Sequence, residues 1–172
     1  MNGIAVALLA VAALMAVALA GVLIGRRAPR PRPLRKGARR ILVPFSGSLD
    51  PTVLDAAIRI ARAEDAVLVP AYLLILPFAY GEDSPAREQV KLAMPLLEAV
   101  EHAALRQGVP VDARIEKGRT LTHAVKRLWE AEDFDRIVAP APAAGREGFT
   151  PKELAWLLTN APSETLVLKP AA

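Results

Sequence analysis

Ile4 to Ile24 is an unbroken run of Ala, Val, Leu, Ile and Met with one Gly. A helix over these 21 residues, rising about 1.5 Å per residue, is roughly 30 Å long, which matches the hydrocarbon core of a bilayer. Behind it lies a block with no acidic residue and eight basic ones: Arg26, Arg27, Arg30, Arg32, Arg35, Lys36, Arg39 and Arg40. Basic residues directly after a span hold that end in the cytoplasm. The pattern predicts a single-pass signal anchor over residues 1–25, N-terminus outside, with the rest of the chain cytoplasmic. The competing pattern is a cleaved signal peptide ending at Ala18-Leu19-Ala20. It fits less well, because no Lys or Arg precedes the apolar run and the run exceeds a signal core of about 7 to 15 residues. Membrane lipid is thus an expected partner through Ile4–Ile24. Gly21 and Gly25 form a GxxxG pair, with Ala12, Ala16 and Ala20 extending the small-residue spacing, but in so Ala-rich a stretch they serve equally as ordinary apolar residues.

The alternating prolines of residues 28–33 favour extended polyproline II, so residues 26–39 read as a stiff basic linker whose charge suits anionic headgroups. Its charge misrepresents the remainder. The whole chain is +4, yet residues 41–172 hold 14 Lys/Arg against 18 Asp/Glu. With a mildly acidic folded part and no basic stripe carrying interleaved aromatics, no nucleic-acid partner is expected. Cysteine is absent, which removes disulfides, thiol nucleophiles and thiolate metal sites together.

Residues 40–170 alternate short apolar runs with helical stretches, the pattern of a parallel sheet wrapped by crossover helices. Five strands are predicted: Ile41 to Phe45, Ala66 to Leu76, Val109 to Ile115, Arg136 to Ala139 and Thr165 to Lys169. Asp50-Pro51 opens the first helix as N-cap and first-turn proline, with Leu54, Ala57, Ile58 and Ala61 facing inward. Ser84-Pro85 opens the second, which runs to about Gln107 and stops at Gly108. The third covers Thr120 or Leu121 to Ala131. Thr150-Pro151-Lys152-Glu153 has the form of a capping box for the fourth, which carries Leu154, Trp156, Leu157 and Leu158.

These segments resemble the universal stress protein family. Arg40-Ile-Leu-Val-Pro-Phe-Ser-Gly-Ser48 is similar to its first strand and loop, and Glu116-Lys-Gly-Arg-Thr120 with Phe134-Asp-Arg-Ile-Val138 to its central segment. Ala161-Pro162 through Thr165-Leu-Val-Leu168 is similar to its closing strand. The resemblance spans about residues 39 to 170. It implies a five-stranded parallel sheet of order 3-2-1-4-5 with helices on both faces, and a homodimer through the last strand.

It also implies where a nucleotide would sit. In nucleotide-binding members the first strand ends in an Asp that holds adenine, and Ser46 stands there in this chain. After the fourth strand such members carry Gly, two residues, Gly, nine residues, then Gly with Ser or Thr, letting backbone N–H groups reach phosphates. Aligned on the strand, this sequence puts Pro140 and Ala143 at the two glycines. A shifted register uses Gly145 and Gly148 but sends the final motif to Leu158-Thr159, late in a helix. The nucleotide-binding candidates are therefore Ser46, Gly47, Ser48, Gly145 and Gly148, with ATP disfavoured. Ser46-Gly-Ser-Leu-Asp50-Pro-Thr52 also resembles the loop of ATP pyrophosphatases, typically Ser-Gly-Gly-x-Asp-Ser. There Ser48 replaces a glycine and Pro51 removes a donor, while Asp50 as plain N-cap explains the motif more simply.

No residue takes a catalytic or metal-binding assignment. His102 and His123 stand alone on different helices, Glu98, Glu101 and Glu116 form no evident acid/base dyad, and Trp129 and Trp156 sit among aliphatics at helical spacing. The expectation is a membrane-tethered, universal-stress-like module that regulates or binds a partner, with a membrane protein among the candidate partners. An ATP-binding stress sensor is the alternative, and a pyrophosphatase-type enzyme a more distant one.

Overall fold

The structure is a computed structural model that describes residues 37–78, 86–142 and 148–169. The expected anchor Ile4–Ile24 and the linker through Lys36 lie outside the described residues. So do Ser84-Pro85 and Gly145. Among the described residues no helix is long and apolar enough to cross a membrane.

Nine elements follow in the order β1 (Arg40–Phe45), α1 (Pro51–Ala63), β2 (Val67–Ile75), α2 (Arg87–Arg106), β3 (Arg114–Gly118), α3 (Leu121–Ala131), β4 (Arg136–Pro140), α4 (Pro151–Asn160) and β5 (Glu164–Leu168). The strands form one parallel sheet in the order β3-β2-β1-β4-β5, as expected. β1 is buried from Ile41 to Phe45 because it is central and covered on both faces, so its sequence is a continuous apolar run.

Alternate residues of the strands feed two cores. Leu42, Val69, Leu73 and Ile137 point toward α3 and α4, where Leu121, Val125, Leu128, Leu154 and Leu157 meet them. Ile41, Val43, Leu68 and Val138 point the other way, onto Val53, Ile58 and Ala61 of α1 and Val100 and Ala104 of α2. The buried face of α1 uses Val53 with Ala57, Ile58 and Ala61, and Leu54 is only half-buried. Ala57, Ile58 and Ala61 face inward as expected, while Val53 takes the fully buried place expected of Leu54, which packs at the edge of the same cluster.

The third strand is also corrected. Residues 109–113 touch the sheet through one isolated bridge, Leu68 to Val111, and the ladder with β2 begins at Arg114 and ends at Gly118. Pro110 and Asp112 make the two backbone bonds of that bridge with Leu68, but the next donor along β2 would be Pro70, which has no N–H, so residues 109–113 form a lead-in and not the strand itself. Gly118 ends the strand where a Cβ would lie 2.7 Å from the Ala124 amide nitrogen, which fixes the close approach of α3 to β3. α2 begins at Arg87 and ends at a Gln107 cap, followed by Gly108 at φ +74, a conformation that suits glycine.

Candidate functional site

β1 leads through α1 toward β2, and β4 leads through α4 toward β5 on the other side. The chain order therefore reverses between β1 and β4, the switch point beyond whose carboxyl ends open parallel sheets place a ligand crevice. The ladder between these strands covers Ile41↔Arg136 and Leu42↔Ile137. Pro44, which has no N–H, stands just beyond it.

One wall is the loop after β1. Ser46 and Gly47 are half-buried, Gly47 adopts φ +70, and Ser48 is exposed. Leu49 packs against the core on the α1 side. Asp50 is buried and caps α1: its Oδ1 accepts from the Thr52 amide at 2.9 Å, and its carbonyl accepts from the Leu54 amide at 3.0 Å. At the start of α1, Pro51 has no N–H and Thr52 has given its own to Asp50. These were the donors a pyrophosphate would need, so the loop keeps the outline of the pyrophosphatase motif without its free helix end.

The facing wall follows β4. Pro140 is still in the strand, paired with Leu168, and the Ala141 amide donates to the Leu168 carbonyl at 2.8 Å. The residue aligned with the first motif glycine is thus part of the sheet, with no amide to offer. Before α4 stand Gly148 at φ +153, Phe149 buried in the core and Thr150. Thr159, where the shifted register put the final motif, lies in the last turn of α4, with Oγ1 donating to the Ala155 carbonyl at 2.8 Å. It is remote from the N-terminal end of that helix.

Thr150 opens α4 instead. Its amide and its hydroxyl each donate to Glu153 Oε2 at 2.8 Å, and the Glu153 amide donates back to Thr150 Oγ1 at 3.3 Å. A carboxylate of the chain itself thus sits on the Thr150 amide and hydroxyl at this helix N-terminus, the Glu153 amide is turned to Thr150, and Pro151 has no N–H.

Beside this cap, Thr120, Thr122, Thr150, Lys152, Glu153 and Trp156 line an open cavity of about 310 Å³ between the first turns of α3 and α4. The capping box was visible in the sequence. Its position beside Thr120, 30 residues earlier, depends on the crossover that brings both helix starts to the same end of the sheet.

Arg119 lies near the end of β2. It donates to the carbonyls of Pro77 at 2.8 Å and Leu76 at 3.4 Å, and its guanidinium lies 5.3 Å from the centre of the exposed Phe78 ring. His123 Nδ1 accepts from the Arg119 amide at 3.4 Å, so this imidazole is engaged in the turn that starts α3. His102 is exposed on α2. Glu116 pairs with Arg127 at 3.0 Å. Trp129 and Trp156 stack at 5.4 Å with a 15° interplanar angle and lean on the core. Among the described residues no group of three His, Asp or Glu side chains could hold a metal ion.

No family model matches the sequence, and no curated protein matches it. Solved structures do match in fold. A universal stress family protein from Burkholderia pseudomallei is 22% identical with a TM-score of 0.59, covering 80% of this chain and 100% of its own. A universal stress protein in complex with cAMP is 20% identical, TM-score 0.59, covering 79% of this chain and 100% of its own. A universal stress family protein from Arabidopsis thaliana, with AMP bound, is 17% identical, TM-score 0.57, covering 78% and 93%. The α/β fold of residues 37–169 is therefore that of the universal stress proteins.

Proposed function

We infer that the chain is a universal-stress-like module that acts by regulation or partner binding, not by turning over ATP, and that Ile4–Ile24 tethers it to a membrane with the domain on the cytoplasmic side. The observation carrying the first half is the Glu153 carboxylate on the Thr150 amide and hydroxyl. A phosphate arriving there meets a negative charge already seated on the Thr150 donors, Pro140 and Pro151 have no N–H to add, and among the described residues Lys152 is the one cation in the cavity lining. The tether rests on the length of the apolar run and the eight basic residues behind it. A second copy is the partner we favour first, through β5, which is an edge of the sheet and has only half-buried residues after Glu164. A membrane protein is the other class of partner that a tethered module would meet.

The deciding experiment is titration calorimetry of the full chain with ATP and with AMP. Weak or absent heats are expected. Stoichiometric micromolar binding that Ser46→Ala or Gly148→Val abolishes would overturn the reading in favour of an ATP-binding sensor. That alternative has one specific support: structures of this fold are known with AMP and cAMP bound. The tether is tested separately by fractionating cells. The full chain should stay with membranes through a high-salt wash, whereas a chain lacking residues 1–25 should not. Release of the full chain by salt would replace the anchor with simple electrostatic attachment.

A further inference from the structure

The end of the sheet opposite the crevice carries a ring of charge where the chain enters the domain. Arg40 starts β1, and its Nη2 donates to Asp112 Oδ2 at 2.9 Å and to Glu132 Oε2 at 2.7 Å. Arg114 holds the same two carboxylates from the start of β3. The Arg40 backbone is fastened as well: its amide donates to Asp135 Oδ2 at 2.8 Å, and its carbonyl accepts from the Asp135 amide at 2.9 Å. Arg39 accepts from the Val67 amide at 2.8 Å and lies 3.2 Å from Glu64 and 3.8 Å from Asp135.

The last residue of the basic linker and the first of the domain are thus bound to the lead-ins of β2, β3 and β4 and to the cap of α3 at Glu132, through exposed ion pairs at Arg39 and part-buried ones at Arg40. The exposed pairs of Arg39 are individually weak and yield to salt, while the part-buried pairs of Arg40 are screened less and give way when their carboxylates are neutralised. The hold on Arg40 is also incomplete, because its Nε is buried without a hydrogen-bond partner.

We propose that Arg39 and Arg40 form a charge latch that sets where the folded domain begins. Screening or neutralising the carboxylates that hold it releases residues 37–40 from the sheet while the rest of the fold persists. Each freed residue lengthens the spacer by about 3.3 Å, so release adds about 13 Å of reach. The latch thereby makes the length of the linker depend on ionic conditions. It does not depend on whether the domain binds a nucleotide or whether the N-terminal segment spans a membrane.

The test is hydrogen exchange followed by mass spectrometry on the full chain, at about 0.1 M and about 1 M NaCl, where the screening length falls from about 10 Å to about 3 Å. The same measurement is made on Asp112→Asn/Glu132→Gln at low salt. Exchange should rise about tenfold in peptides covering residues 38–42, 67 and 135, with peptides from α4 unchanged, as expected of a local opening. Unchanged exchange at those positions overturns the latch. So does a rise spread evenly over every strand, which would mean global destabilisation. Should the double variant fail to fold, the salt series on the native chain decides alone.

Discussion

Thr150 and Glu153 satisfy each other: the threonine amide and hydroxyl both donate to Glu153 Oε2 at 2.8 Å, and the glutamate amide returns a bond to the threonine hydroxyl. The box holds the first turn of α4 beside a buried Phe149. Thr150→Ala removes the side-chain cap and should lower stability by about 1 kcal/mol, while Thr150→Ser should keep most of it. Urea unfolding followed by tryptophan fluorescence reads this out, since Trp156 lies on the same helix. Equal losses for Ala and Ser would mean that the methyl group, and not the cap, matters.

Gly118 is a packing constraint. A methyl group there would stand 2.7 Å from the Ala124 nitrogen and 2.8 Å from its Cβ, and neither atom belongs to a flexible side chain. Gly118→Ala should cost about 1 to 3 kcal/mol by pushing α3 off β3. Gly108 makes the contrast, with no atom near its absent Cβ but a φ of +74. Gly108→Ala should cost about 1 kcal/mol through backbone strain alone. Replacing Gly108 by Asn, which tolerates the left-handed region, should recover part of that loss; Gly118→Asn should be worse than Gly118→Ala.

The strand order was readable because β1 is apolar at every buried position and strands alternate with helices whose starts are written in Asp50-Pro51 and Thr150-Pro151. The third strand was misplaced for a local reason. Val109 and Val111 alternate with Pro110 and Asp112 as an edge strand's inward residues should, yet Pro70 on the facing strand has no N–H to give and the ladder begins only at Arg114. The site was less legible than the fold. Pro140 falls where the resemblance puts a glycine, and that it lies inside β4 follows only from its pairing with Leu168. The cavity beside Thr150 has walls from two helices, and the Arg40 network joins residues up to 95 positions apart; neither has a local sequence signal.

Arg136 has its pKa held above the ordinary guanidinium value, first by the hydrogen bonds it donates to Glu164, with partial burial opposing and the charges of Glu64 and Glu164 reinforcing. A cationic group whose pKa is raised on folding adds stability that is complete below its unfolded pKa and fades only as pH rises through the folded one. For arginine that window lies beyond about pH 12. Arg136→Met should therefore destabilise the chain by the same amount at pH 6, 8 and 10, because the guanidinium stays charged throughout. Chemical unfolding at the three values checks this, and a gap that closed between pH 6 and 10 would show that another group supplies the effect.

Leu157 and Leu158 are neighbours on α4 with opposite surroundings: Leu157 is fully buried, whereas Leu158 is 57% exposed. Helical geometry places them about 100° apart, so the core can take only one of them squarely. Leu157→Ala should cost about 2 to 5 kcal/mol, the range for emptying a packed leucine site. Leu158→Ala should stay within about 0.5 kcal/mol in dilute protein. If Leu158→Ala proves costly, and the cost grows with protein concentration, then this leucine is covered in solution by a second copy. That outcome would place the interface on α4 as well as on the β5 edge. A cost independent of concentration would instead mean that α4 is rotated from the orientation described above.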